Sequence, residues 1–221
     1  MRKYEVVLFD LDGTLTASGE GITKSVQYAL NKMGKEEMGK DLKALEVFIG
    51  PPLLKQFMAF CDITEDEAEL AVKYYRERYT VTGIFENHPY PGVEELLKRL
   101  KEKGYLLCVA SSKPDHMVHI VLEHFHLEQY FDVIWGSDIN RPKMTKAQVI
   151  ELVLEELGYK DQKEKAVMVG DRSHDVEGAN QVGISCIGVT YGYGNQEELT
   201  QAGAWKIAET VEEIEEILEG K

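Results

Sequence analysis

The chain has 221 residues, enough for one large domain or for a core domain carrying a smaller insert. Its composition, 43% hydrophobic and 29% charged with six prolines, is that of a folded globular protein and excludes extensive disorder. Its 39 acidic against 25 basic residues give a formal charge of -14, which repels nucleic acid and anionic membrane surfaces, and no local basic patch reverses it.

The N-terminus, MRKYEVVLFD, reaches an aspartate too soon for a signal peptide, and no apolar run approaches the roughly 20 residues of a membrane span. Cys61, Cys108 and Cys186 lack CxxC spacing and are odd in number, so free thiols in a reducing cytoplasm are expected.

The first apolar run, Val6 to Phe9, predicts a buried parallel strand that stops at Asp10 and Asp12. Side chains alternate along extended chain, so the two carboxylates point the same way with Leu11 turned between them. From 16 to 85 there are helical patterns and no convincing strand: GITKSVQYALNKMG, a segment around PPLLKQFMAF with Pro51 or Pro52 at its first position, and TEDEAELAVKYYRERY with Thr64 and Glu67 as a capping box. The stretch 16–85 is therefore expected to be an inserted helical domain, and 1–15 with 86–221 the core. Both connections of the insert leave from the sheet edge that carries Asp10 and Asp12, which predicts a helical lid over them.

Beyond the insert, VEELLKRLKEKG places Val93, Leu96, Leu97 and Leu100 on one helix face. The run from Leu106 to Ala110 predicts a strand leading into Ser111, Ser112 and Lys113, and a helix begins near Pro114. His116, His119, His124 and His126 lie on that helix or just after it, without clustered carboxylates, and read as surface or packing residues. Val133 to Trp135 is the next strand, followed by TKAQVIELVLEELG with a Thr145/Gln148 capping box. Ala166 to Val169 is a strand leading to Asp171 and Asp175, Ile184 to Val189 the last, and TVEEIEEILEGK a final amphipathic helix. YGYG, Tyr191 to Gly194, reads as a flexible rim. Alternating strand and helix predicts an α/β fold, a three-layer Rossmann-like core with a parallel sheet and a small all-helical cap domain.

Ligands of such sheets bind outside the carboxyl ends of the strands. Carboxylates crowded there repel one another without a cation, and an all-oxygen cluster suits Mg²⁺, which completes its shell with substrate phosphate. Gly13 and Thr14 offer backbone N–H groups to a phosphate in a tight turn, Ser111 a hydroxyl, and Lys146 an ammonium in the first turn of its helix. A nucleophilic carboxylate, a second for proton transfer, a metal and an ammonium make a complete set for a phosphoenzyme mechanism.

DLDGT from Asp10 to Thr14, the strand ending at Ser111, a lysine opening a later helix, and GDRSHD from Gly170 to Asp175 resemble, in order, the four motifs of the haloacid dehalogenase superfamily. FIGPPL, Phe48 to Leu53, and YGYG look like elements of its phosphoglycolate phosphatase-like branch, whose members carry a helical cap after the first motif. The resemblance implies that Asp10 attacks phosphorus and that Asp12 moves the protons while its carbonyl binds Mg²⁺. It further implies that Asp10 and Asp171 supply metal ligands and that Asp175 supports the site. By the same resemblance Ser111, with Ser112 beside it, and Lys146 would hold the phosphoryl oxygens. Lys143 is the second choice for the third motif, because relatives often carry Lys-Pro there while this chain has Arg141-Pro142-Lys143. Lys24, Ile49, Gly50, Pro51, Pro52 and Lys55 are the candidates for substrate specificity.

The implied activity is a phosphatase for a small phosphomonoester, phosphoglycolate phosphatase-like or 5'-nucleotidase-like. A β-phosphoglucomutase-like phosphotransferase uses the same aspartates and stays open. A receiver-like signalling domain is disfavoured, because its acid pair and its phosphorylated aspartate come from different strands. The substrate is expected to be a small molecule, with neither nucleic acid nor membrane as partner.

Overall fold

The computed structural model describes residues 3–138 and 144–221. They form two compact units, Met1–Thr16 with Pro89–Lys221, and Ala17–His88.

The first unit is built on six parallel strands: β1 (Val6–Phe9), β2 (Leu106–Pro114), β3 (Val133–Ser137), β4 (Ala166–Gly170), β5 (Ser185–Val189) and β6 (Lys206–Ala208), in the order β3-β2-β1-β4-β5-β6. β1 lies between β2 and β4, Val6 opposite both Leu106 and Ala166. All four residues of β1 are buried, as a strand covered on both faces requires, and each fully buried Val or Leu contributes about 1.5–3 kcal/mol. The chain runs outward from β1 through β2 to β3, then crosses back to β4 on the other side, so the strand order reverses beside β1.

In chain order the helices are α1 (Gly19–Lys32), α2 (Leu53–Cys61), α3 (Glu65–Tyr79), α4 (Val93–Glu102), α5 (Asp115–His124), α6 (Lys146–Glu156), α7 (Ser173–Val182), α8 (Gln196–Ala202) and α9 (Val211–Leu218). Val6 and Leu8 of β1, Ala110 of β2 and Met168 of β4 share one core cluster with Val149, Ile150 and Val153 of α6 and with Val176 and Ala179 of α7. α4 and α9 pack on each other, and against β2 and β6 respectively. The expected capping box opens α6, Thr145 Oγ1 accepting from the Gln148 N–H at 3.3 Å while Gln148 Oε1 accepts from the Thr145 N–H at 2.9 Å.

Two strands differ from expectation by more than two residues. β2 runs on to Pro114, with its register against β3 broken between Ala110 and Pro114. β6 was unanticipated: three residues long, with Lys206 exposed, it carries too little apolar periodicity to be read.

The unit Ala17–His88 contains α1, α2 and α3 and, among the described residues, no strand. Pro52 stands just before α2 as its N-cap. α3 opens on the expected Thr64/Glu67 box. Arg78 near the end of α3 clasps Glu86 through Nη1 to Oε2 at 2.7 Å and Nη2 to Oε1 at 2.9 Å, and donates to Ser25 Oγ of α1 at 3.2 Å. The two ends of this unit meet, the Ala17 N–H donating to the His88 carbonyl at 2.8 Å. All three cysteines are buried and free. Among the described residues no helix is long and apolar enough to cross a membrane.

Candidate active site

β1 delivers the first acids. The Asp10 N–H donates to Val169 of β4 at 3.0 Å and so extends the pairing of the strands, after which the chain turns sharply. The Leu11 carbonyl accepts from the N–H groups of Thr14, Leu15 and Thr16 at 3.3, 3.0 and 3.0 Å, and the Gly13 N–H donates to the Thr16 carbonyl at 2.8 Å. This corrects the expectation that Gly13 and Thr14 turn their N–H groups toward a phosphate: both are consumed in closing the turn. Within this turn the N–H groups of Leu11 and Asp12 have no partner among the described residues, which only the turn's own hydrogen bonding reveals.

Asp10, Asp12, Asp171 and Asp175 are all buried. Lys146, the first residue of α6, lies 2.9 Å from Asp10 Oδ1 and 2.8 Å from Asp175 Oδ1, and its third contact is to the Ala110 carbonyl at 3.0 Å. Gly178 of α7 makes room for it, since a Cβ there would lie 2.8 Å from Lys146 Cγ. Burial pushes the Asp10 carboxyl up, with the Lys146 charge opposing. Burial acts the same way on Asp175, but Lys146, His174 and the hydrogen bond from the Arg172 N–H together outweigh it and hold that carboxyl below its ordinary range. The Lys146 ammonium, pushed down by burial, is carried above the usual lysine range by the two aspartates. Lys143 lies outside the described residues.

Asp171 follows β4 directly. Its Oδ2 accepts from the Tyr193 N–H at 2.8 Å and its Oδ1 from Thr14 Oγ1 at 3.4 Å. Burial, together with the charges of Asp175 and Asp10, pushes its carboxyl well above the ordinary range. YGYG is therefore no flexible rim. Besides the Tyr193 N–H, Tyr191 Oη donates to the Thr14 carbonyl at 2.9 Å, and a Cβ on Gly192 would come within 2.5 Å of Asp171 Cβ. The segment is a wall built against Asp171, and its glycines are there for close approach.

β2 brings Ser111 and Lys113. Ser111 is buried and its Oγ accepts from the Lys113 N–H at 3.3 Å, while Ser112 is half-buried. The Lys113 ammonium reaches both oxygens of Asp12, at 3.0 and 2.7 Å. Lys113 was visible in the sequence beside Ser111, but no local pattern marks a contact across 101 positions.

The donor atoms of Asp10, His174 and Asp175 lie within 4.8 Å of one another, a grouping that differs from the expected metal set of Asp10, Asp12 and Asp171. Lys146 already spans Asp10 and Asp175. Among the described residues Asp171 has no ammonium or guanidinium in ion-pair contact. Four buried aspartates face two buried ammonium groups, Lys113 and Lys146, and ionising all four leaves an excess of negative charge that a divalent cation would balance. The four aspartates offer hard oxygen donors, which fit Mg²⁺.

The specificity candidates belong to the unit Ala17–His88. Lys24 pairs with Glu20 and, at 3.3 Å, with Glu86, and it lines a cavity of about 310 Å³ with Gln27, Tyr28, Asn31, Leu42 and Arg78. Gly50 sits at φ 98°, Pro51 is half-buried, and Pro52 and Lys55 are exposed. Ile49 is fully buried, so its side chain offers no surface to a ligand. On α5, His119 is held by Glu128 at 2.7 Å.

Residues 7–189 match the family model described as haloacid dehalogenase-like hydrolase. Over 89% of this chain and 87% of the relative, the sequence is 45% identical to a 5'-nucleotidase of Pseudomonas aeruginosa. It is 36% identical to the tyrosine-protein kinase PtkA of Mycobacterium tuberculosis, over 97% of this chain and 72% of the relative. The fold matches the crystal structure of a predicted phosphatase from Clostridium acetobutylicum with a TM-score of 0.92 at 47% identity, covering 98% of this chain and 99% of that one.

Proposed function

The chain belongs to the haloacid dehalogenase-like hydrolase family, and from that premise we propose that it hydrolyses a small phosphomonoester through an aspartyl phosphate formed on Asp10. The observation that carries the reading is the convergence at three neighbouring strand ends of Asp10 and Asp12 from β1, Ser111 and Lys113 from β2, and Asp171 and Asp175 beyond β4. An Asp10 oxygen forms a bond to phosphorus as the bond to the leaving oxygen breaks, and Asp12 gives that oxygen a proton. Asp12, now a carboxylate, takes a proton from water, whose oxygen displaces Asp10 and releases inorganic phosphate.

Lys146 holds the nucleophile in place and balances its charge. The unpartnered N–H groups of Leu11 and Asp12, with Ser111 Oγ, form the seat for phosphoryl oxygens. Asp10, Asp171 and the Asp12 carbonyl would hold Mg²⁺, which supplies charge neutralisation of the transferring group. The helical unit Ala17–His88 is the part we assign to choice of leaving group, since the chain enters it directly after the acidic turn. The Pseudomonas relative makes nucleoside monophosphates the first substrates to try, beside 2-phosphoglycolate. Transfer to a protein tyrosine, the activity in the mycobacterial relative's name, would differ from hydrolysis in its acceptor.

Phosphate release from a panel of phosphomonoesters tests the proposal. Asp10→Asn, nearly isosteric, should lower kcat by roughly 10⁴-fold or more with an unchanged circular dichroism spectrum. Turnover by that variant at the wild-type rate overturns the nucleophile assignment.

A further inference from the structure

The geometry points to Lys113 as the positioning residue for Asp12, the clamp that aims the proton-carrying carboxylate at the leaving oxygen; this rests on the phosphatase reading above. Lys113 is 8% and Asp12 9% exposed. One ammonium touches both carboxylate oxygens, at 2.7 and 3.0 Å, and as a point charge anchors the carboxylate and the direction in which it is held out from the backbone. Asp12 lies in the turn just past β1, where an isolated bridge to Thr16 sets its backbone and the Lys113 ammonium holds its side chain.

The cost of the arrangement argues that it is not there for stability. Burying an ammonium and a carboxylate removes both from water, and such pairs are often no better than apolar residues of the same size. The backbone is also shaped for it. β2 loses register with β3 between Ala110 and Pro114, the stretch that carries Ser111 and Lys113, and the Lys113 N–H is tied to Ser111 Oγ. The result is a division of labour: Lys146 contacts Asp10, which attacks, and Lys113 contacts Asp12, which moves protons.

A positioning role for proton donation has a signature that general damage lacks. An alkyl phosphate has a strongly basic leaving oxygen that must be protonated as it departs, whereas p-nitrophenolate leaves without help. Lys113→Met should therefore lower kcat/KM for an alkyl phosphate by about 10²-fold and for p-nitrophenyl phosphate by less than about tenfold. Lys113→Arg should recover part of the alkyl phosphate activity. In an Asp12→Asn background, Lys113→Met should change the ratio between the two substrates no further. Equal losses on both substrates, no loss, or an undiminished effect in the Asp12→Asn background would overturn the assignment. If Lys113→Met does not fold, as read by its melting curve, Lys113→Gln carries the same comparison. Failure of the wild type to release phosphate from either substrate would instead sink the phosphatase reading.

Discussion

At φ 89°, Gly13 occupies backbone space that costs an L-residue about 1–2 kcal/mol, and a Cβ built on it would lie 2.2 Å from Asp171 Oδ2. The turn that carries Asp10 and Asp12 is thus pressed directly onto the acid from β4, and only a hydrogen fits between them. Gly13→Ala should lower the melting temperature by several degrees and lower phosphate release by at least about tenfold, because Asp171 must move to admit the methyl group. Unchanged kinetics with a lowered melting temperature would separate the two effects and locate the strain in the turn alone. Much of the residue-scale picture was legible beforehand, since Asp10, Asp12, Ser111, Lys146, Asp171 and Asp175 stand in short motifs at strand ends. The Lys113 to Asp12 contact and the wall formed by Tyr191 to Gly194 were not, because they depend on which strands are neighbours and on where a turn spends its hydrogen bonds.

Among the elements, β1 and α6 show why the fold was readable: one is a short, wholly apolar run ending at a charge, the other opens on a reciprocal cap. β6 shows the limit, since its three residues pair with β5 only because the chain has already returned to the sheet edge. In the helical unit the joint between α3 and the returning segment is electrostatic. The Arg78 hydrogen bonds hold the Glu86 carboxyl below its ordinary value, against burial, with Lys24 helping. A folded-state pKa lower than the unfolded one gives a contribution that is complete above the unfolded value, near 4.5, and is lost as pH falls through the folded value. Glu86→Gln should therefore cost about 1–2 kcal/mol in urea denaturation at pH 7, with the gap to wild type narrowing as the solution is acidified below pH 4. A gap that stays constant with pH would mean that the joint holds by packing.

For the molecule as a whole, the formal charge of -14 and the buried excess of carboxylates in the acid cluster act in the same direction. A divalent cation binding the folded state alone stabilises it by mass action, about 2.7 kcal/mol at a hundredfold excess over Kd. Mg²⁺ should thus raise the melting temperature by about 5–10 °C, EDTA should reverse the shift, and Asp171→Asn should remove most of it. An equal shift in that variant would place the ion elsewhere. The hydrogen bond from the Ala17 N–H to the His88 carbonyl bears on how the chain assembles. The central strand β1 must pair with β2 across a hundred positions, Val6 opposite Leu106, and closing so long a loop is entropically slow. With the two ends of the helical unit joined by a 2.8 Å hydrogen bond, the span left to close between β1 and β2 is the much shorter one through α4.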